Sequence, residues 1–347
     1  ISKYCFQKCT RLTDITFSSG SILNSLEVEA FTETGFTSIS IPKGVTSIAG
    51  SVFFMNAKLT TISFPFDSML NSIGSSAFQR TGLTSISIPK GIKTISNFLF
   101  RECSKLKSIT FDDDNAINSI GRDAFLSSGL TSIVIPDKVQ SINQYAFKNC
   151  ASLTNVTFSK NSIISSLGKS SFESTAVKSI KIPPTVKEIG PYALGSCNNL
   201  NKITFSCASS VNISNNAFTS TNSLTSITLP STAIYSGSVS VNRVASCSSC
   251  VNGKYSTTGD DSKGLCIECI AGYTTIGIGT IGNDQSICNI CAQGYYSSSG
   301  ESSGIKTGCI KCPAGYSTFA SSTIGTSAGA CGVCAAGYFG TSSSGTS

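Results

Sequence analysis

Residues 130–153 read L-T-S-I-V-I-P-D-K-V-Q-S-I-N-Q-Y-A-F-K-N-C-A-S-L, and this pattern of apolar positions returns throughout the first two thirds of the chain. The apolar residues that open successive units are 24 and 23 residues apart in alternation, which gives a cycle of 47 residues. A period in this range is typical of supersecondary units that stack because none can bury its apolar face alone. The sequence therefore predicts a solenoid of about ten coils over residues 1–241. The opening residues are Leu12, Phe36, Leu59, Leu83, Leu106, Leu130, Leu153, Val177, Leu200 and Leu224.

Each unit contains a short segment in which apolar and small polar residues alternate. In residues 83–88, Ile86 and Ile88 are expected to point inward and Ser85 and Ser87 outward, as in a strand with one buried face. Equivalent strands of successive coils would form a parallel sheet along the whole solenoid. Proline follows the strand in every second unit, where its missing N–H should end the ladder. These prolines are Pro42, Pro89, Pro136, Pro183 and Pro230, and the partner units carry Phe17, Phe64, Phe111, Phe158 and Phe205 at the preceding position.

The far side of each coil ends in a small residue followed by Phe in many units. Stacking of these rings from coil to coil predicts a second apolar spine. The pairs are Ala30-Phe31, Ala77-Phe78, Ala124-Phe125, Ala146-Phe147 and Ala217-Phe218.

The repeated residues, written L-x-x-I-x-I-P-x-x-V-x-x-I-x-x-x-A-F-x-x-C, resemble the BspA-type or Treponema-type leucine-rich repeat. The resemblance covers residues 1–241 and departs from commoner leucine-rich repeats because no Asn ladder follows the strand. It implies a mainly β solenoid of the α/β repeat class, with a curved parallel sheet, in a surface or secreted protein often implicated in adhesion. Residues 4–9 align with residues 145–150, so we expect the chain to open inside a repeat, as an N-terminally truncated piece of a longer protein.

Residues 242–347 have a different composition, rich in Gly, Ser, Thr and Cys, with five C-x-x-C pairs. The spacing fits either disulfide-linked modules or zinc ribbons. Disulfides are favoured because the chain has no His, five pairs do not divide into four-cysteine sites, and apolar residues are few. The segment resembles the cysteine-rich growth-factor-receptor or ephrin-receptor-like repeats of protist surface proteins, which implies an irregular, disulfide-rich rod of small modules, here C-terminally truncated. The pairs are Cys247 with Cys250, Cys266 with Cys269, Cys288 with Cys291, Cys309 with Cys312, and Cys331 with Cys334.

The cysteines of the solenoid belong to a different pattern. Cys103, Cys150 and Cys197 recur every 47 residues, so their Cα atoms should lie about 10 Å apart, two strand spacings. A disulfide requires roughly 7 Å or less, so these residues are interpreted as buried free thiols, with Cys9 in the same column. Cys5 and Cys207 fall outside the column and receive no assignment.

The sequence carries no catalytic signature. It has no His, no phosphate-binding loop and no H-E-x-x-H motif, so we expect no enzyme activity and no cofactor or metal. Residues 112–115 read D-D-D-N but lack the spacing of a calcium loop, which favours a solvated turn. The net charge of +7 is scattered, so a nucleic acid is not an expected partner. No apolar run approaches the roughly 20 residues of a membrane helix, so this segment should make no membrane contact.

The outward strand positions form two ladders of short hydroxyl side chains, which we expect to be a contact face. Asn155 and Asn212 begin N-x-[ST] motifs and are candidate N-glycosylation sites in a secreted protein. The residues expected on the face are Ser38, Ser40, Ser85, Ser87, Ser108, Thr110, Ser226 and Thr228.

Three functions are compatible with these features. The leading hypothesis is a non-enzymatic extracellular structural or adhesive protein of a coat, appendage or filament, which associates with itself or with other surface proteins and glycans. The alternative is a surface receptor or adhesin that binds a host protein or glycan through the sheet face. A remote alternative is ice binding by the hydroxyl ladders, which Val134, Lys181 and Lys202 interrupt.

Overall fold

The computed structural model describes residues 1–244, except 19, 113–114, 160, 206–209 and 231–232, together with eight short strands of the cysteine-rich segment. The chain divides into two compact units, Ile1–Val244 and Ala245–Ser347. The first unit is a mainly β solenoid, and no α-helix occurs in its described residues.

Each coil of the solenoid has a front strand and a shorter back strand, numbered together in chain order. The two-residue back strands are β1 (Ser25–Leu26), β3 (Ser47–Ile48), β5 (Ser72–Ile73), β7 (Thr94–Ile95), β9 (Ser119–Ile120), β11 (Ser141–Ile142), β13 (Ser166–Leu167), β15 (Glu188–Ile189) and β17 (Asn212–Ile213). The front strands are β2 (Ser38–Ser40), β4 (Thr61–Ser63), β6 (Ser85–Ile88), β8 (Ser108–Phe111), β10 (Ser132–Ile135), β12 (Asn155–Phe158), β14 (Ser179–Ile182), β16 (Lys202–Phe205) and β18 (Ser226–Pro230), followed by β19 (Ser240–Val244).

The front strands pair in parallel, but two by two. The pairs are β2 with β4, β6 with β8, β10 with β12, β14 with β16 and β18 with β19. The expectation of one continuous front sheet was therefore wrong. The prolines explain the interruption: the N–H of Ser159 donates to the carbonyl of Ile135 at 3.3 Å, and Pro136 stands at the position equivalent to Ser159 in its own coil, where no N–H exists. The prolines thus end the ladder between pairs of coils.

The back strands are only two residues long, but their hydrogen-bonded ladders span more coils than those of the front strands. They form a three-stranded sheet, β1-β3-β5, and a six-stranded sheet from β7 to β17, all parallel. Neighbouring back strands are alternately 22 and 25 residues apart over most of their length, because the loop that follows the front strand is longer in the units with Phe than in the units with Pro.

The first unit expected from the sequence, which opens at Leu12, contains the back strand β1 but no front strand. Leu12, Ile15 and Phe17 are only partly buried against the core. The next coil still contacts this unit, because the Gly35 N–H donates to the Leu12 carbonyl at 3.0 Å.

The far side of the solenoid contains the stacked spine of aromatic rings, which confirms the expectation. Successive ring centroids lie 5.0–5.7 Å apart from Phe6 to Phe172, with interplanar angles of 2–15°. In the predicted pairs the ring follows an Ala. The spine also includes rings that follow a residue larger or more polar than Ala, such as Phe53 after Val52. Leu194 takes the equivalent position after Phe172, where the series of rings ends, and farther along Phe218 contacts Tyr235.

The turns that carry this spine have an unusual backbone. Two residues per coil, spaced four apart, adopt positive φ without being glycine, for example Tyr145 at 61° and Asn149 at 60°. Their N–H groups and that of Phe147 donate to carbonyls of the next coil at 2.7–2.9 Å. The far side is therefore a third hydrogen-bonded ladder, which the hydrophobic pattern did not indicate.

In the cysteine-rich segment the described backbone forms four antiparallel pairs. In each pair, the first strand contains the Tyr that follows a Gly, either directly or after one residue. The second strand lies at the next C-x-x-C pair along the chain. The pairs are β20 (Lys254–Ser256) with β21 (Cys266–Glu268), β22 (Tyr273–Thr274) with β23 (Ile290–Cys291), β24 (Tyr295–Ser297) with β25 (Cys309–Lys311), and β26 (Tyr316–Ser317) with β27 (Val333–Cys334).

The disulfides predicted for this segment are not tested by the structure, and they stay a prediction. Four of the ten cysteines belong to the described strands by their backbone alone, and their side chains are not described: Cys266, Cys291, Cys309 and Cys334. The other six lie outside the described residues: Cys247, Cys250, Cys269, Cys288, Cys312 and Cys331.

Candidate contact surface

The front strands present one face to solvent, which we call the sheet face. In β6 the side chains of Ser85 and Ser87 are exposed, whereas Ile86 and Ile88 are buried. The same alternation places every short-hydroxyl side chain expected on the face at an exposed position. These are Ser38, Ser40, Ser85, Ser87, Ser108, Thr110, Ser226 and Thr228.

Hydroxyl groups link neighbouring coils on this face. The Ser40 and Ser63 Oγ atoms lie 2.7 Å apart, and the Thr154 Oγ1 donates to the Thr131 carbonyl at 3.2 Å. These contacts consume part of the hydrogen-bonding capacity of the ladders but leave the outer hydroxyl surface exposed. Val134, 59% exposed, stands in the ladder as an apolar interruption.

Two grooves of about 720 Å³ open where the front ladder is interrupted. One lies around Phe111 and Pro136 between β8 and β10, and the other lies around Phe17 and Pro42. The two positions are separated by 94 residues, two full cycles. Each groove therefore has an aromatic and a proline at its floor and serine or threonine hydroxyls from the sheet face at its wall.

A row of exposed apolar side chains follows the loops after the Phe units. Ile22 and Met69 are 47 residues apart, which is one cycle, and Ile163 stands at the same position two cycles after Met69. Their side chains are 98%, 57% and 48% exposed, respectively. Phe66, in the loop of Met69, is 97% exposed. We refer to these four residues as the apolar row. Sequence reasoning missed it, although an apolar residue five positions after the Phe of alternate units was a readable signal.

The buried thiols take part in hydrogen bonds as well as packing. The Sγ atoms of Cys103, Cys150 and Cys197 donate to the carbonyl 25 residues earlier at 2.9, 3.0 and 3.1 Å. Each also lies 3.3 Å from a Ser or Thr hydroxyl of the preceding coil. Burial raises the pKa of the Cys103 and Cys150 thiols to about 11 and raises that of Cys197 as well. These thiols are structural donors that stay protonated.

Asn56 occupies the same column and makes the corresponding contacts with an amide. Its Nδ2 donates to the Phe31 carbonyl at 2.9 Å and to the Thr34 Oγ1 at 3.0 Å, while its Oδ1 accepts from the Thr34 N–H at 2.7 Å. The column is therefore defined by a buried hydrogen-bond donor, which either Cys or Asn supplies.

Cys9 does not share the burial of its column, so that assignment was wrong. It is exposed, as is Cys5, and both are free thiols. A buried thiol of the column is covered by the coil that precedes it by 25 residues, and Cys9 has no such coil in this chain. Cys207 lies outside the described residues.

Of the remaining candidate positions, Asn155, Asn212 and Asp112 are exposed, and Asn115 is half-buried. Asn155 is the first residue of β12 on the sheet face, and Asn212 is the first residue of β17 on the back. Asn115 closes the turn at Asp112 by donating from its N–H and its Nδ2 to the Asp112 carbonyl, at 2.9 and 3.0 Å. Among the described residues no group of three or more His, Cys, Asp or Glu side chains could hold a metal ion. In the same residues no helix is long and apolar enough to cross a membrane.

These features define a leucine-rich-repeat solenoid with an exposed sheet face. Residues 1–107, 24–133 and 118–240 match the BspA type leucine rich repeat region, described as six copies, so the chain belongs to this family. A search of curated proteins found no match.

Several solved structures are similar to the chain. A leucine-rich repeat protein from Bacteroides ovatus is 25% identical, with 69% of this chain and 73% of that one covered and a TM-score of 0.42. The pneumococcal vaccine antigen PcpA is 21% identical, with 58% of each chain covered and a TM-score of 0.43. A leucine rich cell surface protein from Faecalibacterium prausnitzii is 21% identical, with 62% and 83% covered and a TM-score of 0.35.

Proposed function

We propose that this chain is part of a non-enzymatic, extracellular or surface-located adhesive protein that makes contact through its sheet face and the adjoining apolar row. Membership of residues 1–240 in the BspA-type family supports this proposal, because the resemblance described above implies a surface or secreted protein, often implicated in adhesion. The partner would be another surface protein or glycan, or a second copy of the chain.

The apolar row is the observation that carries the proposal. Single exposed apolar residues are ordinary, but three large ones recur here at one position of the repeat and form a rim that Ala116 interrupts between Met69 and Ile163. Ile22 and Phe66 are almost fully exposed, and Met69 lies in the wall of the groove around Phe17 and Pro42. Such a rim lowers the free energy of contact with a partner by removing apolar surface from water.

The test is adhesion of beads coated with the full chain to wells coated with extracellular-matrix proteins, mucin or the chain itself. The variant I22S/M69S/I163S is expected to reduce attachment severalfold, while the control T94A/E188A, with both changes at exposed positions of back strands, should attach like the unmodified protein. Equal attachment by all three proteins in every well would contradict a role for the apolar row.

We also propose that copies of the chain associate into a filament or a coat. Electron microscopy of the purified chain tests it independently of the bead assay. Regular filaments would support self-association, whereas dispersed single particles that still mediate bead attachment would limit the function to adhesion.

A further inference from the structure

Three lysines stand together on the sheet face of two neighbouring coils. Lys178 and Lys181 belong to the coil of β14, Lys202 belongs to β16, and all three are exposed. The register pairs Ser179 with Lys202 and Lys181 with Thr204. Adjacent strands are about 4.8 Å apart and residues rise about 3.3 Å along a strand, so Lys181 and Lys202 lie on a diagonal of roughly 8 Å at their Cα atoms. We call these three residues the lysine cluster.

The front strands around the lysine cluster carry no carboxylate at their outward positions. Those positions of β10, β12, β14, β16 and β18 hold Ser, Thr, Asn, Val and Lys. The outward positions of these five strands therefore carry a net positive charge.

The neighbours of the lysine cluster are groups that can bind sugar and sulfate oxygens. Ser179 and Thr204 lie opposite the lysines, and Asn201 precedes Lys202, with its N–H donating to the Lys178 carbonyl at 3.0 Å and its side chain exposed. On the other side of β14, the adjacent front strand β12 begins with the exposed Asn155. The described outward positions of these strands carry no aromatic ring on which a base could stack, which disfavours single-stranded nucleic acid.

We propose that the lysine cluster and its surrounding hydroxyls and amides bind an anionic polysaccharide, with sulfate or carboxylate groups on the lysines. This inference deepens the adhesive function proposed above and rests on it for the setting, an extracellular surface. A flat, hydrated face with three cations suits an extended polyanion, which can satisfy several weak charge contacts at once without a deep pocket. Because the lysines are exposed, the attraction should weaken strongly as the ionic strength rises.

The experiment measures binding of the full chain, produced without glycosylation so that Asn155 is bare, to immobilised heparin and to dextran sulfate, with neutral dextran as reference. The variant K178S/K181S/K202S removes the lysine cluster. The control K93S/K169S/K187S removes the same net charge at exposed positions: Lys93 and Lys187 immediately precede back strands, and Lys169 lies near Tyr145 on the far side.

We expect the unmodified chain and the control to bind both polyanions at 0.15 M salt, and the cluster variant to bind roughly tenfold more weakly. Equal weakening in the control would overturn the inference, because net charge alone would then account for binding. Tighter binding of a single-stranded DNA or an acidic protein than of either polyanion, lost in the same variant, would also overturn it. If the unmodified chain binds no polyanion but the coated beads still attach, only the polysaccharide inference is refuted. If the beads also fail to attach, the adhesive function is refuted as well.

Discussion

At the scale of single residues, the buried thiols show how one side chain fixes the contact between two coils. Cys103 is fully buried and donates to the Phe78 carbonyl, which also accepts from the Thr81 hydroxyl at 2.9 Å. The thiol is therefore a second side-chain donor to a buried carbonyl, and it adds a hydrogen bond between coils where water cannot reach. Reading the thiols as small apolar side chains identified their burial but not this role, because the hydrogen bonds depend on the coil-to-coil geometry and only Asn56, a polar residue in the column, hints at it.

The thiols should make the stability of the solenoid fall at alkaline pH. The pKa of Cys103 and Cys150 is raised from 9.0 to about 11, so the folded protein holds these protons where the unfolded chain releases them. Their contribution is complete below pH 9 and is lost as the pH rises from 9 to 11, by about 2–3 kcal/mol per thiol.

Denaturant unfolding followed by circular dichroism at pH 8, 9 and 10 measures this loss. The variant C103A/C150A should be less stable at pH 8 but show a smaller decrease between pH 8 and 10 than the unmodified chain. Parallel pH dependence of the two proteins would contradict the assignment. Peptide mapping after alkylation of the folded chain should find Cys5 and Cys9 modified and Cys103 and Cys150 protected, since only the first two are exposed.

At the scale of elements, the stacked ring spine is the clearest stabilising device of the solenoid. Phe147 lies between Phe125 and Phe172, with centroids 5.0 and 5.1 Å away, and is fully buried. Replacing it with Ala removes these contacts and leaves a cavity, so F147A should destabilise the fold by about 3–5 kcal/mol.

Leu194 provides a matched substitution, because it occupies the position of Phe147 one cycle later. F147L keeps most of the apolar volume and should cost about 1–2 kcal/mol. Thermal and denaturant unfolding of both variants test this order. A leucine variant as unstable as the alanine variant would mean that ring stacking, rather than buried volume, determines the stability of the spine.

Glycine precedes three of the five Pro units, at Gly35, Gly82 and Gly129, where two coils approach closely. A Cβ on Gly129 would lie 2.1 Å from the Ser104 carbonyl oxygen, and one on Gly82 would lie 2.3 Å from that of Ala57. The neighbouring backbone must therefore shift to accommodate a Cβ at either position. G129A should therefore destabilise the fold by about 1–3 kcal/mol.

Gly20 supplies the control, because a Cβ there meets no atom within 4 Å. The unfolding midpoint of G20A should stay close to that of the unmodified chain, and a loss in G20A as large as in G129A would show that contact with the neighbouring coil is not the cause.

These elements also show what the sequence could and could not predict. Alternation of apolar and polar residues placed Ile86 inward and Ser85 outward, and the period predicted the stacked coils and the ring spine. The interruption of the front ladder at Pro136 and the positive φ of Tyr145 depend on backbone hydrogen bonds between coils, which a hydrophobic pattern does not encode. For the site, the exposed hydroxyls were predictable from the sequence. Lys181 and Lys202 were identified only as interruptions of the hydroxyl ladders, because their proximity depends on the pairing register of β14 and β16.

At the scale of the whole molecule, the solenoid is a linear array in which each coil contacts its neighbours. Among the residues whose burial is described, the buried apolar side chains run from Leu26 to Tyr235, within the unit that ends at Val244. The solenoid therefore has a continuous core of its own.

A chain ending at residue 244 should therefore fold by itself. Its far-ultraviolet circular dichroism should show a β-rich fold, and its unfolding free energy should equal that of the solenoid transition in the full chain to within about 0.5 kcal/mol, because the core described for the solenoid ends at Tyr235. Reduction of the full chain should leave that transition in place, because the buried solenoid cysteines are free thiols. If the shortened chain aggregated or unfolded at much lower denaturant, the boundary at 244 would be wrong and the cysteine-rich segment would have to contribute to the stability of the last coils.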